Sequence, residues 1–128
     1  MLERIRASVM CCNAIVALST VEHLGLGHYG AEGGHADLDH QVMKMLKSWV
    51  KPGGTLVLTV PFGAWSIDDF QRIYDTEHLD ALLEGWTRLG ERYLVQANHR
   101  SPWEPFDPGS SALPLGGHGV ALVTATPA

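Results

Sequence analysis

Cysteine, positive charge and long apolar runs are all scarce in this 128-residue sequence. Its two cysteines, Cys11 and Cys12, are adjacent, a spacing that rarely closes a disulfide and that fits no zinc pattern. A disulfide-stapled scaffold is thereby excluded, and the pair reads as small apolar filler in a reduced, cytoplasmic protein. Nine Lys and Arg stand against fourteen Asp and Glu, a formal net charge of -5, with no basic run. That balance gives no electrostatic footprint for nucleic acid or an anionic membrane surface, so neither is expected as a partner. No apolar stretch approaches the ~20 residues of a membrane span. Arg4 and Arg6 ahead of Val9 to Leu18 faintly imitate a secretory signal, but Glu3 and Asn13 interrupt it and a buried strand is preferred.

The composition present, 45% hydrophobic and 18% charged, is that of one globular core. Ala14 to Ser19 (AIVALS) is a continuous apolar run with β-branched residues, the pattern of a strand buried in a parallel sheet. Thr20 to Ala36 follows as a long glycine-rich loop, a length that usually marks function. Leu38, Val42, Met45, Leu46 and Trp49 fall at helical spacing, with Asp37 able to cap the start and Pro52 to end it. Lys51-Pro52-Gly53-Gly54 makes a turn, and Thr55 to Val60 (TLVLTV) reads as a second buried strand ended by Pro61. Strand, helix and strand in that order imply a right-handed parallel crossover. Further on, Thr76 can cap a helix through Leu79, Leu82 and Leu83 that stops at Gly85. Arg92 to Asn98 and Val120 to Thr126 are expected as strands antiparallel to each other, because no helix joins them. Between them, residues 100–118 are too rich in proline and glycine for regular structure.

Three pieces in this order resemble a class I S-adenosylmethionine-dependent methyltransferase: AIVALSTVEHLG at 14–25, MLKSWVKPGGTLVLTVPFG at 45–63, and the loop, helix and strand tail after it. The first is similar to that family's fourth strand with its Glu-His loop, and the second to its fifth strand and approach. The stretch TVEHLGLGHYG, with PFG and QRIY, looks like a subgroup annotated only as methyltransferase-like. The resemblance implies an α/β fold: a partial Rossmann-like sheet of parallel strands plus a C-terminal antiparallel strand. It makes residues 1–128 a single partial domain with its strand-loop-helix-strand core at 13–63. The glycine-rich loop and the acidic residue with which such enzymes grip the cofactor have no counterpart here, and Asn13 stands where an Asp usually opens the strand. The cofactor-binding half is therefore missing from this sequence, as in a fragment or a truncated gene.

In such sheets ligands lie beyond the carboxyl ends of the strands, which directs attention to residues after Ser19 and Val60. The resemblance implies S-adenosylmethionine as cofactor, with Ser19, Thr20 and Glu22 as its contacts. His23 is the candidate general base, since imidazole titrates near neutral pH; the alternative is a hydrogen bond to backbone that shapes the loop. Glu22 would orient that ring or meet the cofactor's amino group, with a solvated acidic side chain as the alternative. Tyr29, Phe62, Arg72 and Tyr74 are candidate substrate contacts, with ion pairing of Arg72 to Asp68, Asp69 or Asp75 as the alternative. His28, Glu32, His35, Asp37, Asp39 and His40 crowd together but match no ligand spacing, so no metal is expected. Trp103 and Phe106 either cover a substrate or pin their loop to the domain. The glycine-rich run 116–119 lacks the strand and helix of a phosphate loop and reads as a turn.

The expected function is methyl transfer to a small hydroxylated metabolite or sugar. The rival is a non-catalytic remnant, or one part of a split assembly acting as a scaffold. In either case the strand at Ala14 to Ser19 would present an apolar edge, so self-association or a partner chain covering that edge is expected.

Overall fold

A computed structural model describes residues 12–27, 36–109 and 118–128. Within them lies a mixed five-stranded sheet, built from β1 (Cys12–Leu18), β2 (Val50–Pro61), β5 (Trp86–Gln96), β6 (Glu104–Pro105) and β7 (His118–Pro127) in the order β1-β2-β7-β5-β6. A short second sheet pairs β3 (Ser66–Ile67) with β4 (Arg72–Ile73). Two α-helices accompany them, α1 (Leu38–Trp49) and α2 (Thr76–Leu82).

β1 and β2 are adjacent and parallel, in register from Ala14 opposite Thr55 to Leu18 opposite Thr59. The second strand reaches back through the Lys-Pro-Gly-Gly corner to Val50, so that corner is an irregularity within the ladder rather than a turn outside it. Glycine is needed there for two reasons. Gly53 has φ +80, and a Cβ on Gly54 would lie 2.7 Å from Val50 Cγ1 and 2.8 Å from the Asn13 carbonyl oxygen. The first strand can therefore pass close to the corner only because Gly54 has no side chain.

β7 enters between β2 and β5 and is antiparallel to both. The antiparallel relation of the two last long strands matches the sequence reading; the insertion beside β2 does not follow from it. β5 starts at Trp86, six residues before the expected Arg92, because Gly85 at φ +85 ends α2 and turns the chain straight into the sheet.

Alternation along the strands divides the sheet into two faces. Leu56, Leu58 and Val60 share one face with Ala17, Ala121, Val123 and Ala125, and all are buried with Met43, Leu46, Leu79 and Leu82 from the helices. The buried stripe of α1 is Asp39, Met43 and Leu46, rotated from the expected face, with Val42 and Trp49 packed only partly against the core. On the other face, Val16 and Leu18 remain 62% and 55% exposed. α2 is capped by Asp75, whose Oδ1 accepts from the His78 amide at 2.8 Å; Thr76 is already the first helical residue. Asp37 makes no side-chain cap of α1 and instead accepts from Gln41 Nε2 at 2.8 Å. In the proline-rich segment only Glu104–Pro105 joins the sheet, against Leu94 and Val95. Phe106 packs on the core and pins that loop, whereas Trp103 is 47% exposed. Of the glycines read as a turn, Gly119 pairs with Val95 inside β7, and Gly116 and Gly117 lie outside the described residues.

Candidate functional site

Because β1 and β2 run parallel, the residues that follow them emerge at the same end of the sheet. Ser19 leaves β1 at φ 48, a left-handed conformation that costs a non-glycine residue free energy. Its amide is held there by Thr59, donating to the carbonyl oxygen at 3.2 Å and to Oγ1 at 3.0 Å. Thr20 Oγ1 donates to the Leu18 carbonyl at 2.9 Å. Both residues are exposed. The chain then tightens into a single 3-10 turn, Val21–His23, which sets Glu22 and His23 side by side.

His23 Nδ1 lies 2.6 Å from the Phe70 carbonyl oxygen. A carbonyl only accepts, so Nδ1 carries the proton and the neutral ring has its lone pair on Nε2. Nε2 is 3.6 Å from Glu22 Oε1, and the ring also meets Phe70 with centroids 4.6 Å apart. Glu22 is fully buried, and neither carboxylate oxygen has a hydrogen-bond partner. Burial pushes its carboxyl above the ordinary range. Its own backbone amide and the His23 ring pull the other way.

Beneath this turn lies a buried polar network that the sequence did not disclose. Arg72, 0% exposed, donates from Nη2 to the Ala36 carbonyl at 3.0 Å and from Nη1 to the Val21 and Glu22 carbonyls at 3.4 Å. Its Nε stands 3.5 Å from Asp39 Oδ2, the oxygen that accepts from the Tyr74 hydroxyl at 2.7 Å. Burial, then the hydrogen bond to Asp39, hold the Tyr74 hydroxyl well above the usual tyrosine range. Arg72 thus ties the end of β1 to the start of α1, and its ion partner is Asp39, not Asp68, Asp69 or Asp75. The distance between 39 and 72 in sequence hid that pairing; a lone Asp early in an amphipathic helix, on its apolar side, was the available signal.

Among the expected substrate contacts, Arg72 and Tyr74 face inward and Phe62 is 6% exposed, packed edge-on to Tyr93 at 4.8 Å. Burial removes all three from the crevice surface. Tyr29 lies outside the described residues. The side chains that the fold does assemble at the strand ends are Ser19, Thr20, Glu22 and His23. Asp39 and His40 lie close together, but among the described residues no group of three His, Cys, Asp or Glu is placed to hold a metal ion; His28, Glu32 and His35 lie outside them.

No curated protein matches the chain. Residues 6–100, which include β1, the Glu-His turn, α1, β2, the buried Arg72 network and α2, match the family described as Caenorhabditis protein of unknown function, DUF268. That match spans most of the sequence, and the chain belongs to this family.

Proposed function

We propose that the chain is the carboxyl half of a class I S-adenosylmethionine-dependent methyltransferase domain, directed at a small hydroxylated metabolite or sugar. The observation that carries this reading is the parallel pairing of β1 with β2 across the Pro-Gly-Gly corner, with the Glu-His turn and Pro61–Gly63 at one end. The C-terminal antiparallel strand, β7, lends this reading further support.

The residues present suit the cofactor in part. Ser19 and Thr20 are exposed polar groups at the strand end and would hold it there, whereas the carboxylate of Glu22 lies below the surface and supports His23 instead. The cofactor, when bound, supplies an activated methyl group on a sulfonium. The chain's own contribution is orientation and a proton acceptor. With Nδ1 committed to the Phe70 carbonyl, His23 offers Nε2 to the proton of an acceptor hydroxyl, and the adjacent Glu22 carboxyl steadies the cation that forms.

A second reading, a non-catalytic scaffold or one part of a split assembly, is favoured by the exposed Val16 and Leu18 on an edge strand. Either reading calls for a complementary chain or segment along β1. Calorimetric titration with S-adenosylmethionine separates them. Micromolar binding that weakens on substitution of Thr20 supports the methyl-transferring site. No heat at millimolar cofactor removes it and leaves the scaffold.

A further inference from the structure

All three lysines of the sequence, Lys44, Lys47 and Lys51, fall within eight consecutive residues. Two of them, Lys44 and Lys47, line a groove of about 600 Å³ between α1 and α2. His40, Lys44 and Lys47 are spaced i, i+4 and i+7, so they share one stripe of α1, where like charges disfavour the helix by a few tenths of a kcal/mol per pair. Among the described residues neither lysine makes an ion pair. The one carboxylate in the lining is Glu84, so the groove is positive on a molecule whose net charge is -5.

The rest of the lining gives this charge a shape. Ala81, exposed on α2, supplies apolar surface beside the cations, and the buried Met43 and Leu82 close the floor beneath it. At the Gly85 end, a Cβ on that residue would lie 2.8 Å from Lys47 Nζ, so the ammonium rests against a backbone that has no side chain to displace it. The volume falls within the range of small-molecule sites. Lysine is a compact point charge with three donors, suited to the tetrahedral oxygens of a phosphate; planar carboxylates are more often met by the fork of an arginine.

We propose that this interhelical groove binds a small phosphorylated molecule, its phosphate between Lys44, Lys47 and His40 and its apolar part against Ala81. The site is separate from the Ser19–His23 end and does not depend on methyl transfer there.

Calorimetric titration of the intact protein with phenyl phosphate, inorganic phosphate and phenol tests it. Saturable binding of phenyl phosphate is expected, with inorganic phosphate weaker and phenol silent. The double variant K44Q/K47Q is expected to bind at least about tenfold more weakly, while K44R/K47R retains binding, and far-ultraviolet circular dichroism stays unchanged. Should the double variant misfold, K44Q alone, at an exposed position, carries the same comparison. No saturable heat at millimolar phenyl phosphate, equal affinity for inorganic phosphate or phenol, or binding unaltered in the glutamine variants would each overturn the proposal.

Discussion

Glu22 and Arg72 show how burial changes what a charged residue does. Leaving either partner of a buried ion pair alone costs about 3–5 kcal/mol, so Arg72 is held in place by Asp39 and the carbonyls it serves. Glu22 is less well compensated: neither carboxylate oxygen has a hydrogen-bond partner, and burial outweighs the pull of His23 and raises its carboxyl. The sign follows from linkage. A carboxyl whose folded value is raised favours the protonated form on folding, and that contribution is lost as pH climbs above the ordinary 4.5 and through the folded value. Glu22→Gln is therefore expected to unfold at a higher temperature than the parent at pH 8, with the difference shrinking toward pH 4. Thermal scans across that range check it, and a parallel offset at every pH would contradict the assignment. Asp39 and Arg72 were individually visible in the sequence, one in the crowded His, Asp and Glu group weighed for a metal and the other as a candidate substrate contact. Their partnership was not, because only the fold brings residues 39 and 72 together.

Among the elements, the helices were readable in outline but not in their ends. The hydrophobic spacing of α1 predicted its existence and length within a residue or so; the face it buries is rotated toward Met43 because Asp39 is drawn inward by Tyr74 and Arg72. α2 begins one residue earlier than the Thr76 cap would place it, with Asp75 outcompeting the threonine for the His78 amide. That amide holds the Asp75 carboxyl below the usual range. Asp75→Ala is expected to cost about 0.5–2 kcal/mol, measured by denaturant midpoint at neutral pH, while Thr76→Ala costs much less. Equal losses in the two variants would mean that the cap is shared. The β3 and β4 pair and the early start of β5 escaped the sequence reading because strands of two residues carry no period and Gly85 permits an abrupt turn into the sheet.

At the scale of the whole molecule, the two edges that the main sheet has among the described residues differ. One ends in the two-residue β6, where Pro105 has no amide to offer and Glu104 is charged. The other is β1, seven uncharged residues whose outer face carries exposed Val16 and Leu18. An edge of that kind invites a further strand, so the isolated 128-residue chain is expected to self-associate, and Val16→Lys to reverse this. Sedimentation velocity decides the matter: a clean, folded monomer of the parent chain would remove the need for a partner along β1. Among the described residues no helix is long and apolar enough to cross a membrane.

Some features of this protein were settled by residue order alone. Two apolar runs joined through an amphipathic helix and a proline-glycine-glycine corner specify parallel neighbours, since burying both runs in one layer leaves few other connections. The Glu-His pair after the first run placed the candidate site at the strand ends. The tertiary structure alone decided which charged side chains face the crevice and which disappear beneath it. Desolvation is the reason: a guanidinium or hydroxyl turns inward only where the fold has already set acceptors from distant segments around it, and no local pattern records their arrival.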